Sequence, residues 1–342
     1  MVAKKNNLSE TVPPIFQIYF IIFGSLILSV SLWFRASSFR TLDKEPPLKT
    51  VDIATIREFG GNPSEILVGL QIDQFKKFDV VNNDFLVSGI VWFLFYPGIV
   101  SLQTLEKFDF LRGTIDYRSS PKETIIGDKL LVQYNVRVSF TSYLQYSEFP
   151  LDDHRIYLTL VNNFINPSDL MFESTERELT VTADVHTFGW ENIETKARSG
   201  FIRADLDPYD TTKKREFPAV TFALDYKRVG IRYIITIFLP LLLMFYIALF
   251  GLSLPTDRAM PVVSGALTAI LAYRFVIETI SPHTGYFMLT DSVFVLILSV
   301  SVFVFFTVVA NTYKKGIPLY YKKLISALLH LLVIIGLLYL FK

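Results

Sequence analysis

Long apolar runs and alternating runs divide this sequence into two kinds of segment. Runs 14–34, 233–254, 292–313 and 324–341 are almost free of charge, and run 259–280 is apolar except near one end, where Arg274 and Glu278 lie. A helix needs about 20 apolar residues to cross the hydrocarbon core of a bilayer. The pattern therefore predicts five transmembrane helices, one near the N-terminus and four in the last third of the chain.

Between the first two apolar runs the chain has the pattern of short strands. Segments rich in β-branched and aromatic residues, several of them alternating, lie at 66–73, 84–95, 129–140, 154–161 and 218–227. Turn-forming residues separate these segments, and no helical pattern interrupts them. A parallel sheet needs such helical crossovers, so the pattern favours a mostly antiparallel β-sandwich.

Together these patterns predict a mixed membrane protein, in which an antiparallel β-sandwich precedes a four-helix transmembrane bundle and an additional transmembrane helix lies at the N-terminus. The expected boundaries are 1–36 for an N-terminal anchor, 37–62 for a linker, 63–229 for the sandwich and 230–342 for the bundle. The basic start of the first segment is also typical of a secretory signal peptide. Its long apolar run and the lack of a clear cleavage site favour the anchor.

Composition narrows the classes of function. Hydrophobic residues make up 51% of the chain and charged residues 19%, and the formal net charge of +1 gives no sign of a nucleic-acid partner. Cysteine is absent, which excludes disulfides and thiolate sites. No GxSxG or HExxH motif occurs, and His154 and His186 lack metal-ligand spacing. We therefore expect no enzymatic activity, metal or cofactor.

Lysine placement predicts the orientation in the membrane. The segment 314–323 carries four lysines, and short loops rich in Lys and Arg lie in the cytoplasm. Counting spans back from this loop places the N-terminus in the cytoplasm and residues 35–230 outside.

Two stretches carry a resemblance to a known family. In YSEFPLDDHRIYL (146–158), Phe149, Pro150 and Asp152 resemble the signature loop of pentameric ligand-gated ion channels, the Cys-loop receptor superfamily, in its prokaryotic form without cysteines. FVIETISPHTGYFMLTDSVFVLI (275–297) is similar to the end of the pore helix and the start of the next helix in proton-gated bacterial channels. VGLQID, VWFLF, FGWENIE and LDYKR match other parts of the family in order.

The resemblance implies a homopentamer in a lipid bilayer, that of the bacterial inner membrane, which conducts ions when an unknown small ligand or protons bind outside. Two features depart from the family. The N-terminal span is extra, and the stretch between VWFLFY and KLLVQY is short and lacks the tryptophan-proline-acid segment of the usual agonist pocket. A non-conducting membrane-anchored receptor with the same fold is therefore the alternative.

A stripe of small and polar residues lies on the 259–280 segment and the residues just before it. Aligned on Glu278 and Pro282, the resemblance makes the following stripe face the pore: Asp257, Pro261, Gly265, Thr268, Ala272, Phe275 and Thr279. Spacings of three and four keep these residues on one helical face. Small residues also allow close helix packing, which is a second interpretation. A register shifted by one residue would expose Met260, Ser264, Leu267, Leu271 and Arg274 instead.

Asp257 bears on ion selectivity. Five copies at the inner mouth of a pore would form an acidic ring that selects cations, which is the favoured expectation. The neighbouring Arg258 weakens this inference. Alternatively, Asp257 is an ordinary carboxylate stabilised by a helix N-terminus.

The resemblance also implies residues that couple ligand binding to the pore. These are Phe149, Pro150 and Asp152 of the signature loop, Asp79 near the first strand turn, Arg228 before the first bundle helix, and Glu278 and Pro282 after the pore stripe. Arg228 is expected to pair with Asp152. A solvated surface pair of little energetic weight is the alternative.

Aromatic residues provide the ligand-site candidates. Phe164 and Tyr209 would belong to one sandwich and Trp92 to its neighbour, where aromatic faces suit a cationic or aromatic ligand. Burial in the core is the alternative for each of them.

Two of the four histidines are candidate pH sensors. His154 follows the signature loop, and His283 lies in the loop after the pore stripe. Histidine titrates within ordinary environmental pH, so both side chains are expected to respond to acidification. The alternative is two exposed histidines without coupling.

Overall fold

A computed structural model describes residues 11–182, 185, 187–205, 214–229, 232–313 and 317–342. The chain divides into two compact units. The helical unit contains the described residues up to Phe39, the segment Tyr146–Asp152 and the described residues after Gly230. The sheet unit contains Arg40–Gln145 and the described residues of Asp153–Val229. The short segment Tyr146–Asp152 thus belongs to the helical unit, although both of its chain neighbours belong to the sheet unit.

Among the described residues, five α-helices are long and two are short. In chain order they are α1 (Pro14–Ser37), α2 (Ile53–Glu58), α3 (Leu102–Leu105), α4 (Arg232–Phe250), α5 (Thr256–Ile280), α6 (Leu289–Tyr313) and α7 (Leu319–Leu340). Within the described residues, α1, α4, α5, α6 and α7 are each long and apolar enough to cross a membrane. The chain is thus suited to lie in a membrane, as the apolar runs predict.

Prolines mark where these helices begin. Pro14 is the first residue of α1, and Pro255 and Pro318 immediately precede α5 and α7. Proline fits such positions because the first helical N–H groups have no partner within the helix. Pro240 lies inside α4, at a position where the backbone N–H of an ordinary residue would bond within the helix.

The four C-terminal helices pack on one another, and α1 packs against α7 and α4. The side-chain amide of Gln17 is fully buried and donates to the backbone carbonyl of Leu249, 3.0 Å away. Gly24 lets α1 approach α7 closely, because a Cβ built on it would lie 2.8 Å from Ile334 Cδ1. The extra N-terminal helix is therefore an integrated member of the helical unit.

The sheet unit contains two sheets. Its strands are β1 (Ser64–Asp79), β2 (Asp84–Phe95), β3 (Phe108–Phe110), β4 (Gly113–Arg118), β5 (Lys122–Ile126), β6 (Lys129–Phe140), β7 (His154–Asn162), β8 (Leu170–Glu173), β9 (Leu179–Val181), β10 (Trp190–Asp205) and β11 (Lys214–Arg228). Among the described residues, one sheet has the order β4-β6-β2-β1-β8, with β5 beside β6 and β9 beside β1. The other has the order β10-β11-β7-β3.

Most strand pairs are antiparallel, and β8 and β9 run parallel to β1. Aromatic rings join the two sheets: Phe93 of β2 lies 5.4 Å from Phe108 of β3, and Phe78 of β1 lies 4.7 Å from Tyr226 of β11. In β2 every second residue is buried, as the alternating sequence predicts for a strand with one face on a core. Two sheets sharing an aromatic core are compatible with the predicted sandwich.

The predicted order, strands first and long apolar helices afterwards, is confirmed, and so is a long apolar helix near the N-terminus. Each of the five predicted strand segments lies within a strand of the structure.

Candidate functional site

The residues of the predicted stripe are all exposed on α5. Each of the seven, from Asp257 to Thr279, is solvent-exposed in the single chain, and the exposed fraction of Phe275 reaches 71%. The opposite face of the helix is buried against its neighbours: Ala259, Val263, Ala266, Ile270 and Ile277 are at most 5% exposed. One face of α5 thus packs inside the helical unit, and the face with the small and polar residues does not.

Arg274 belongs to the alternative register, which is shifted by one residue from the predicted stripe. Its guanidinium pairs with Asp291 of α6 and, at 3.1 Å, with Glu278 one turn along its own helix. It also lies 5.5 Å from the ring centroid of Phe294. Arg274 is therefore anchored towards α6. Met260, Ser264 and Leu267 of that register are only partly exposed.

Hydroxyl groups on the stripe are oriented by their own helix. Thr268 Oγ1 donates to the carbonyl of Ser264 at 3.0 Å, and Thr279 Oγ1 donates to that of Val276 at 2.7 Å. Each proton is used within the helix, so the hydroxyl oxygen is left as an acceptor on the exposed side. A Cβ built on Gly265 meets no atom within 4 Å, so open space lies beside this position.

Charges of opposite sign stand side by side where α5 begins. Asp257 and Arg258 lie in the first turn of the helix and are both exposed. The position of Asp257 fits both the acidic ring and the ordinary helix-terminal carboxylate. The helix dipole favours a carboxylate at this position whether or not the chain forms a pore.

We call residues 146–152 the FPLD loop. Its backbone is tied to the start of α6: the N–H of Tyr146 donates to Tyr286 Oη at 2.9 Å, and the N–H of Leu289 donates to the carbonyl of Ser147 at 2.8 Å. Phe149 is fully buried, with its ring centroid 6.3 Å from that of Tyr233 near the start of α4. The loop thus contacts the first residues of two helices in its own unit.

The remaining coupling candidates are distributed over both units. Asp152 and Pro282 are buried in the helical unit. In the sheet unit, Arg228 lies 4.2 Å above the ring of Trp190, and its backbone N–H donates to Asp153 Oδ1 at 3.0 Å. Asp79 accepts two bonds from Asn82 in the turn after β1. The predicted pairing of Asp152 with Arg228 stays a prediction.

The two candidate histidines have different surroundings. His154 is fully buried in the sheet unit, with Nδ1 3.0 Å and 3.2 Å from the two carboxylate oxygens of Asp43. Asp43 also accepts the backbone N–H groups of Gln145 at 2.6 Å and Arg155 at 2.7 Å. His283 belongs to the helical unit and is exposed.

Asp43 lies in the segment 37–62, for which the sequence predicts only a linker. Three of its hydrogen-bond partners, Gln145, His154 and Arg155, lie more than 100 residues away along the chain. No local pattern marks such a residue, so only the folded chain reveals it.

Phe164 lies between two surface cavities of the sheet unit. The larger cavity, of 630 Å³, is bounded by the β7–β8 connection, α2 and the β10–β11 hairpin, and the smaller one has a volume of 420 Å³. Arg203 lines the larger cavity and donates to Glu58 at 3.1 Å, while its hydrogen bond to Glu216 raises its pKa. Lys107 Nζ lies 4.6 Å from the ring centroid of Phe164 in the smaller cavity.

The other two ligand-site candidates are not placed beside Phe164. Trp92 is half-buried on the side of β2 opposite Phe93, where its ring covers Gly69 of β1. A Cβ on Gly69 would lie 2.0 Å from that ring, so Trp92 needs glycine opposite it. Tyr209 lies outside the described residues.

A scan against protein-family models finds no match for this chain, and a search of the curated proteins finds none either. The functional assignment therefore depends on residues and geometry.

The described residues carry two chemically distinct surfaces. The α5 stripe offers oxygen acceptors, small side chains and one carboxylate on a single exposed helical face. The cavities around Phe164 offer charges of both signs beside an aromatic ring, which suits a small polar or charged ligand. Within the described ranges, no three His, Asp or Glu side chains are grouped as metal ligands would be.

Proposed function

We propose that this protein is a ligand-gated ion channel of the pentameric, Cys-loop type, in which five copies of α5 surround a pore. The observation that carries this proposal is the exposed stripe on α5. A face with threonines, glycine and aspartate is costly against lipid, and it is stabilised when it faces water or other protein. A ring of identical helices provides such a water-filled axis and leaves the buried face of α5 in its present contacts.

Close packing of small residues alone gives a weaker account of the stripe. Gly265 has open space around it within the chain, and Phe275 is far too large for a small-residue contact. A central pore accommodates both, because Phe275 can narrow the pore while Gly265 and Thr268 widen it elsewhere.

The chemistry of the stripe favours cations. Thr268 and Thr279 donate their protons internally, so they present oxygen atoms to a permeating ion. Asp257 adds a carboxylate at one end of the stripe, and a ring of carboxylates concentrates cations. The adjacent Arg258 opposes this preference.

The proposed setting is a bacterial inner membrane, by the resemblance noted in the sequence. The lysine-rich segment 314–323 and the N-terminus would lie in the cytoplasm and the sheet unit outside it. An unknown small ligand or protons would act on the sheet unit, and the cavities beside Phe164 are the proposed ligand site. The FPLD loop, with its contacts to α4 and α6, would transmit the change to the helices.

The alternative is a membrane-anchored receptor that does not conduct. Pro261, Gly265 and Thr268 favour it, because the stripe lacks a continuous apolar girdle at mid-helix with which a channel closes. Both proposals use the same fold and differ in whether current flows.

Mass and current together test the proposal. Native mass spectrometry in mild detergent is expected to give about five times the 39.2 kDa of one chain. The purified protein in planar bilayers is expected to conduct when pH or ligand is changed. A pentamer without current under any condition would favour the receptor, and a stable monomer or dimer would contradict the channel.

A further inference from the structure

A cavity at one end of the helical unit has the features of a binding site. Its volume is 210 Å³, which is room for several water molecules. It lies where α1 and α7 end and α6 begins, and the FPLD loop forms part of its wall. Arg35, Ser147, Ser292 and Lys342 provide its polar lining, opposite Met288 and Leu289.

Arg35 is the central residue of this cavity. It is only 6% exposed, and one of its terminal nitrogens, Nη2, pairs with Glu148. Among the described residues, Arg35 Nη1 has no hydrogen-bond partner and is buried. A buried guanidinium N–H without an acceptor is costly, and in native proteins such groups are rarely left unmatched. Arg35 Nη1 is therefore a donor that the described part of the chain does not use.

The charges around the cavity indicate an anion. The side chains of Arg35 and Lys342 are positive and that of Glu148 is negative. A guanidinium is well suited to phosphate because its N–H groups match the spacing of two oxygens. The hydroxyls of Ser147 and Ser292 are further donors on the same wall.

Exposed aromatic residues indicate the surroundings of the cavity. Trp33, Phe34, Phe287 and Tyr339 lie at this end of the helices, and their exposed fractions are 70–79%. Large aromatic side chains are enriched where a membrane meets water, at the level of the lipid headgroups. A cavity with a positive charge at that level lies at the depth of phospholipid phosphates.

We propose that this cavity binds the phosphate group of a membrane phospholipid, with Arg35 Nη1 donating to a phosphate oxygen. The acyl chains would lie outside the cavity along the apolar helix surfaces. The site depends on α1, since this helix supplies Arg35. It also places the lipid against Glu148, so lipid binding would bear directly on the position of the FPLD loop. The proposal rests on membrane insertion of the helices and does not require conduction.

Lipid titration followed by native mass spectrometry tests this proposal. The probes are phosphatidylglycerol, diacylglycerol with the same acyl chains, and inorganic phosphate, each added to the full-length protein in detergent. Phosphatidylglycerol is expected to bind at least about tenfold more tightly than diacylglycerol, because a charge-assisted hydrogen bond is lost without phosphate. Millimolar inorganic phosphate is expected not to displace the lipid; displacement would overturn the assignment to a lipid.

Two variants separate a binding site from a purely structural ion pair. Arg35→Gln is expected to reduce the preference for phosphatidylglycerol about tenfold, and Arg35→Lys to restore part of it. Glu148→Gln is expected to keep or increase the preference, because it removes a competing carboxylate and releases Nη2. If Arg35 only stabilised the loop through Glu148, both variants would lower the melting temperature equally and leave the lipid preference unchanged. An unchanged lipid preference would overturn the proposal. If Arg35→Gln does not fold, the lipid preference of Glu148→Gln still decides between the two interpretations. Because the readout is lipid binding, a protein that binds lipid without conducting would contradict only the proposed channel function.

Discussion

His154 Nδ1 lies 3.0 Å from Asp43 Oδ2, and both side chains are fully buried. Asp43 holds together three stretches of the sheet unit, since it also accepts backbone N–H groups from Gln145 and Arg155. A buried carboxylate with this number of donors is stable only while each donor remains in place.

Asp43→Ala is expected to destabilise the sheet unit by about 3–5 kcal/mol, because it leaves the buried His154 side chain and two partly buried backbone N–H groups without their acceptor. Glu191→Ala is the matched control, as it removes an exposed carboxylate from the same unit. Denaturant unfolding followed by tryptophan fluorescence measures the difference. Equal midpoints for the two variants would contradict a structural role for Asp43.

His154 and His283 are the two candidate pH sensors. The His154→Gln/His283→Gln double variant is expected to move the midpoint of any pH-dependent current or conformational signal, because histidine titrates within the environmental pH range. If the double variant has the original midpoint, neither histidine is a sensor.

The absence of cysteine makes α5 suitable for a direct accessibility scan. Single cysteines at Gly265, Thr268 and Ala272 are expected to react with a charged methanethiosulfonate reagent and to reduce current as they do so. Cysteines at Val263, Ala266 and Ile270, on the buried face of the same helix, are expected to react slowly or not at all. Reactivity that does not differ between the two faces would rule out a pore along this stripe.

Asp257 and Arg258 are adjacent at the start of α5, and removing each charge is expected to shift the ion selectivity in opposite directions. Asp257→Asn is expected to shift the reversal potential in a salt gradient towards weaker cation preference, since it removes the carboxylates of the proposed ring. Arg258→Gln is expected to shift it the other way, because an opposing charge is lost. A reversal potential that stays the same in both variants would place these residues away from the ion path.

Gly24 of α1 and Gly265 of α5 differ in the space around them, so substituting each by alanine tests how closely α1 is packed. A Cβ at Gly24 would lie 2.8 Å from Ile334 Cδ1, whereas one at Gly265 meets nothing within 4 Å. Gly24→Ala is expected to lower stability by about 1 kcal/mol or more through overpacking, and Gly265→Ala to be neutral or slightly stabilising. Thermal unfolding in detergent measures both.

The same packing leads us to expect that α1 is kept in the mature protein. The mass of the purified chain should then include residues 1–36. A chain that begins near residue 37 would show that this segment is a signal peptide.

Much of the fold follows from local pattern. Alternation marks β2 because one side of this strand faces the aromatic core, and long uncharged runs mark the helices because nothing else in the sequence is apolar for so long. The exposed face of α5 was also predictable, since spacings of three and four residues define a helical face without any knowledge of neighbours.

The pairings that tie distant segments together were not predictable in this way. Asp43 and His154 are 111 residues apart, and Arg35 and Glu148 are 113 apart. Each of these residues is unremarkable in its local sequence, and its partner is determined only by how the strands and helices pack. The resemblance to a channel family did not supply Arg35 either, because the helix that carries it is the extra one.

The hydrogen bond from Gln17 to Leu249 has a consequence for how the protein is made. The two residues are 232 positions apart, so at about 5–20 residues per second the ribosome needs roughly 10–50 s to deliver the acceptor after the donor. During that time the Gln17 amide has no access to its acceptor on Leu249. The packing of α1 against α4 and α7 is therefore completed only after the last third of the chain has been synthesised.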